Sequence, residues 1–145
     1  MLLLLNRMEL PVSARRANWI VFLALGGFFG NFVLSLTDHA ENGSFHWTEW
    51  IPVASSSLAV GFLLVFFFTV TTRRYWKMCV GVLLLQAVVG LAGLLFHAEA
   101  DLRGPSMSFF QNVVDRAPPF APLLLPNLMV LGLIGLWAAR EGEAA

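Results

Sequence analysis

"WKMCVGVLLLQAVVGLAGLLF", residues 76–96, decides what kind of molecule this chain makes. It carries one charge, Lys77 at its start, and one amide, Gln86, near its middle. As a helix rising about 1.5 Å per residue, it crosses the roughly 30 Å hydrocarbon layer of a bilayer. In lipid a helix satisfies its own backbone polar groups over such a run, whereas an isolated strand does not. Working outward from it, three more stretches have the same character, at about 18–37, 50–71 and 120–139, each near 20 residues. Trp19, Trp50, Trp76 and Trp137 stand at their ends, where an indole buries its ring and still reaches water. The reading is an all-α fold, an integral membrane four-helix bundle.

Composition agrees. Of 145 residues, 58% are hydrophobic and 12% charged, and the mean hydropathy is +0.74. A soluble domain of this size needs more polar surface, so lipid is expected to supply part of the surroundings. A net charge of zero lacks the basic footprint of a nucleic-acid binder, and no nucleic acid is expected as a partner. The single cysteine, Cys79, has no partner for a disulfide or a CxxC site and reads as a buried packing thiol.

The charges orient the bundle. Arg7, Arg15 and Arg16 precede the first span, Arg73, Arg74 and Lys77 lie about the second connection, and Arg140 follows the fourth span. The other two connections hold Asp38, Glu41, Glu49, Glu99, Asp101 and Asp115 against Arg103 and Arg116. The Lys/Arg bias predicts an N-in/C-in topology. Residues 1–17 then form a cytoplasmic segment, 18–139 the four-span domain and 140–145 a cytoplasmic tail. The expected location is a bacterial inner membrane, with the His/acid loops on the periplasmic side. "MLLLLNRMELPVSARR", residues 1–16, has its positive charges after a short apolar start and no A-x-A site following the first span. The first span therefore reads as a retained signal-anchor.

The second outer connection, about 97–119, is long enough to carry structure. In "SFFQNVVDR", residues 108–116, Phe109, Phe110, Val113 and Val114 favour one side, and Ser108 with Gln111 fits a capping box. A short interfacial helix is expected there. "APPFAP" breaks it and launches the fourth span, which Pro126 is expected to kink.

Helical spacing then picks out two polar stripes. Gln86, Gly90, Gly93 and His97 share one face of the third span; Gly27, Asn31, Ser35 and Asp38 share one face of the first, with His39 at its edge. The glycines fit close helix packing, whereas the intramembrane amides Asn31 and Gln86 are candidates for function. Both spans run outward, so the stripes are expected to meet, bringing His39 and His97 to similar depth.

Both spans also end in His-Ala-Glu, at His39-Ala40-Glu41 and His97-Ala98-Glu99. On a continuous helix, positions two apart point about 200° away from each other, so this triplet chelates one ion only where the helix has ended. If the third helix instead continues, His97 and Asp101 share a face and Glu99 points elsewhere. His46 and Glu49, three apart at the start of the second span, would be helical neighbours, and imidazole with carboxylate suits zinc, iron, copper or manganese. The candidate metal ligands are His39, His46, His97, Glu49 and Glu99, with Glu41, Asp101 and Asp115 as supporting groups. Haem between His39 and His97 ranks behind a metal ion, because both imidazoles sit too near the aqueous edge for a buried macrocycle.

All three histidines and six of the nine acids thus share one side of a small protein. Three functions follow as expectations. The first is a metal-binding, redox-associated membrane protein. The second is a non-catalytic accessory or assembly subunit, its partner being a larger membrane complex or a second copy of itself. The third is an oligomeric transporter. No substrate or reaction can be read from the residues.

Overall fold

The computed structural model describes residues 12–41, 46–69, 72–103, 108, 110–112 and 120–144. Every element among them is helical: α1 (Val12–Glu41), α2 (Trp50–Phe68), α3 (Arg73–Leu102) and α4 (Leu124–Ala144). Short 3₁₀ turns, Trp47–Glu49 and Ala121–Leu123, lead into α2 and α4. Four segments, Arg16–Glu41, Trp47–Phe68, Arg73–Leu102 and Ala121–Glu141, are long and apolar enough to cross a membrane. Most of their surface faces outward: Leu95 is 68% exposed, Val88 64% and Trp19 63%. Water would penalise an apolar face of that extent, whereas lipid tails accept it.

The helices pack in a closed ring. α1 contacts α2 and α4, and α3 contacts the same two. α1 and α3 therefore lie on a diagonal. Consecutive helices pack as antiparallel neighbours, so α1 and α3, which run in the same direction, end up across from each other. Thr72 caps α3, its hydroxyl accepting from the Tyr75 N–H at 3.1 Å.

Side chains from all four helices fill the centre, with Val21, Ala24 and Phe28 from α1, Leu63 and Phe66 from α2, Leu83 from α3, and Leu125 and Leu136 from α4. Cys79 is buried among them as a free thiol. Of the glycines predicted for packing, Gly27, Gly90 and Gly93 pack against α4 and the 3₁₀ turn that precedes it, whereas Gly26 and Gly30 have nothing within 4 Å of where a side chain would stand. A side chain at Gly27 would collide with Leu128, and one at Gly90 would collide with the Pro126 ring and come within 2.7 Å of the Pro122 carbonyl oxygen. Gly93 likewise faces Pro122, and Gly135 lets the Val21 backbone nitrogen approach to 2.9 Å of where a Cβ would stand.

Pro126 occupies the third position of α4, inside the first turn. There a missing N–H costs little, because the first N–H groups of a helix have no partner in the preceding turn. It helps to start α4 where the sequence suggested a kink. In the connection between α3 and α4, residues 110–112 are helical. The Ser108–Gln111 cap forms reciprocally: the Gln111 N–H donates to Ser108 Oγ at 3.4 Å, and the Ser108 N–H donates to Gln111 Oε1 at 3.2 Å. Val113, Val114, Asp115 and Arg116 lie outside the described residues, as does the segment 1–11.

Candidate functional site

Two groups of polar side chains stand out, one in the bundle interior and one at its acidic end. In the interior, Asn31 of α1 donates from Nδ2 to Ser56 Oγ at 2.9 Å. Gln86 of α3 is fully buried, and its Nε2 donates to the Ser55 carbonyl at 3.0 Å and to the Val82 carbonyl at 3.2 Å. Both amides thus converge on the consecutive serines of α2. The two polar stripes do not meet face to face as expected. The diagonal separates α1 from α3, and α2 links their amides. Gln86 Oε1 has no hydrogen-bond partner, leaving one buried acceptor at mid-span after both N–H groups are engaged.

At the acidic end, α1 runs without interruption through Glu41 and α3 through Leu102. The spacing argument then settles the His-Ala-Glu triplets. On continuous helices His39 and Glu41 diverge, and so do His97 and Glu99. Glu99 turns outward and pairs with Arg103 at 2.6 Å, one helical turn on. Glu41 is exposed, and Asp115 lies outside the described residues.

His39 instead faces the start of α2. Its Nδ1 lies 3.9 Å from Glu49 Oε2, with both side chains roughly three-quarters buried (21% and 24% exposed). The same carboxylate oxygen accepts from the His46 backbone N–H at 3.1 Å, and the Glu49 N–H donates back to the His46 carbonyl at 3.0 Å. The 3₁₀ turn Trp47–Glu49 holds this loop closed. His39, His46 and Glu49 therefore share the corner where α1 ends and α2 begins. His97, half-buried on α3, belongs to the diagonal helix. Among the described residues, no three His, Cys, Asp or Glu side chains converge closely enough to enclose a metal ion.

Asp101 and Asn112 form a separate feature of this end. Each is 2% exposed. Asn112 Nδ2 donates to the Asp101 backbone carbonyl at 2.8 Å, fastening the α3–α4 connection to the end of α3. Asp101 Oδ2 and Asn112 Oδ1 have no hydrogen-bond partner. Asp101 was expected as a group supporting the metal ligands, and its burial was not anticipated. Asn112 was missed altogether. Its signal was an amide one helical turn after Phe109, on the apolar side of the predicted connection helix.

The opposite, basic end is ordered by aromatic contacts. Trp76 Nε1 donates to the Leu136 carbonyl at 3.3 Å, and the Trp76 and Trp137 rings meet edge to face at 5.9 Å. The Arg140 guanidinium carbon sits 4.8 Å from the Trp76 ring centroid, a cation–π distance.

The class these features define is an all-helical protein with four helices long and apolar enough for a bilayer. Beyond that class, no known protein family, no curated protein and no solved structure matches this chain.

Proposed function

We propose that this is a multi-pass membrane protein that binds a divalent transition metal at the His39–Glu49 corner of its outer end. The observation that carries the reading is the 3.9 Å approach of His39 Nδ1 to Glu49 Oε2 across two helices. An ion bound at about 2.0 Å from both atoms in tetrahedral geometry would set them about 3.3 Å apart, so a small side-chain rotation closes the gap. His46 is held to the same carboxylate by its backbone, and its exposed imidazole is the candidate third ligand. Water completes the shell. Zinc, iron, copper and manganese all suit such ligands. A redox role follows only for iron, copper or manganese. By the Lys/Arg bias this corner faces the periplasm of a bacterial inner membrane.

The test is elemental analysis with an absorption spectrum of the protein purified in mild detergent without chelator. Near-stoichiometric metal in the wild type, lost in a His39→Ala/Glu49→Gln variant that keeps its helical circular dichroism, is the expected result. Metal content unchanged by the double substitution would reject the site.

A second reading is an accessory or assembly subunit of a membrane complex. Gly26 and Gly30 of α1 support it. They form a GxxxG pair, and nothing lies within 4 Å of where their side chains would be. Glycines at such spacing let another helix approach closely. A stoichiometric partner recovered after mild extraction, and lost in a Gly26→Leu/Gly30→Leu variant, is the result this reading expects.

A further inference from the structure

We infer that the basic end of the bundle holds one anionic phospholipid, seated against α3 and α4. Arg73 and Lys77 lie on one exposed face of α3, about 40° apart around the helix and both to one side of Trp76. Arg140 reaches over the Trp76 ring from α4. That indole is not free to move, because its N–H is bonded to the Leu136 carbonyl and its edge is packed on Trp137. Three cations are thereby gathered about a fixed aromatic platform. Among the described residues, no carboxylate forms an ion pair with any of them. The nearest acid in sequence, Glu141, accepts from Trp137 Nε1 at 2.7 Å.

Toward the middle of the span, the same α3 face continues through Gly81 and Leu84, both exposed. At Gly81 nothing lies within 4 Å of the position a Cβ would take, so the face has an open notch one turn below Lys77. Charge complementarity selects a phosphate for the cations. The apolar notch beneath them selects a phosphate that carries an acyl chain. A zwitterionic headgroup brings its own ammonium into the cationic cluster and is disfavoured there. A free phosphate lacks the chain. Each Lys or Arg beside an anionic headgroup strengthens binding about 5-fold.

The full chain, purified in neutral detergent and stripped of lipid, is titrated with phosphatidylglycerol, phosphatidylcholine or inorganic phosphate and read by native mass spectrometry. Phosphatidylglycerol is expected to bind at one copy, and about 30-fold more weakly in the Lys77→Gln/Arg140→Gln variant. Arg16→Gln, which removes a charge from the same end on α1, is expected to leave binding unchanged. The wild type alone provides a further arm: its affinity should fall as salt rises. Equal binding of phosphatidylcholine would overturn the proposal. So would complete displacement by inorganic phosphate, affinity indifferent to salt, or an Arg16→Gln loss equal to that of the double variant.

Discussion

Gly90→Ala tests the packing of α3 on α4 directly. The added methyl would collide with the Pro126 ring and sit 2.7 Å from the Pro122 carbonyl oxygen and 3.1 Å from Leu125 Cβ. A proline ring and a backbone carbonyl cannot swing aside as a leucine tip can, so α4 itself must move. Overpacking of this kind costs about 1–3 kcal/mol. Alanine returns up to about 1 kcal/mol through its better helix propensity. The net expectation is a loss of about 1–2 kcal/mol. Gly61→Ala is the control, because nothing lies within 4 Å of its Cβ position and only the propensity gain remains. Unfolding in mixed micelles of neutral detergent and dodecyl sulfate, followed by circular dichroism, measures both. The midpoints should move in opposite directions, separated by the overpacking cost of about 1–3 kcal/mol, since the propensity gain is common to both. Equal shifts would refute the close approach of Gly90 to Pro126, and with it the placement of the start of α4.

Two further outcomes are expected. Asn112→Ala removes the buried donor to the Asp101 backbone carbonyl, so stability should fall by about 1–3 kcal/mol; no change in the same micelle assay would mean that this contact does not fasten the connection to α3. Cys79 is 1% exposed, so a maleimide should label it no faster than the bundle opens, and labelling that is rapid under native conditions would contradict the core described above.

The spans were legible because lipid imposes a length and a composition that few other environments require. The packing role of Gly27, Gly90 and Gly93 was legible from helical spacing, which places Gly90 and Gly93 on the Gln86 face of the third span and Gly27 on the Asn31 face of the first. Neighbourhood was harder. His39 and His97 were expected to meet because both spans run outward, but in a ring of four antiparallel helices the parallel members are diagonal. The fate of the His-Ala-Glu triplets turned on where α1 and α3 stop. Alanine favours helix at Ala40, Ala98 and Ala100, and the Glu99–Arg103 pair supports the final turn of α3. These local preferences carried both helices past the positions where the hydropathy falls. Pro126 was misjudged because its effect depends on distance from the helix start, which the sequence leaves uncertain by a few residues. The Asp101–Asn112 contact joins residues eleven apart, a separation that helical periodicity does not connect.

The four helices are unequal. α1 and α3 have 30 residues each, whereas α2 has 19 and α4 has 21. At about 1.5 Å per residue α1 and α3 are about 45 Å long and α2 and α4 about 30 Å. The added length is not apolar. It carries Asp38 and Glu41 on α1, and Arg73, Arg74, Lys77, Glu99 and Asp101 on α3. The four apolar stretches are near 20 residues each, so all four helices match one hydrocarbon thickness. What the unequal lengths leave beyond that layer is a pair of charged helical ends, standing on diagonal corners of the bundle.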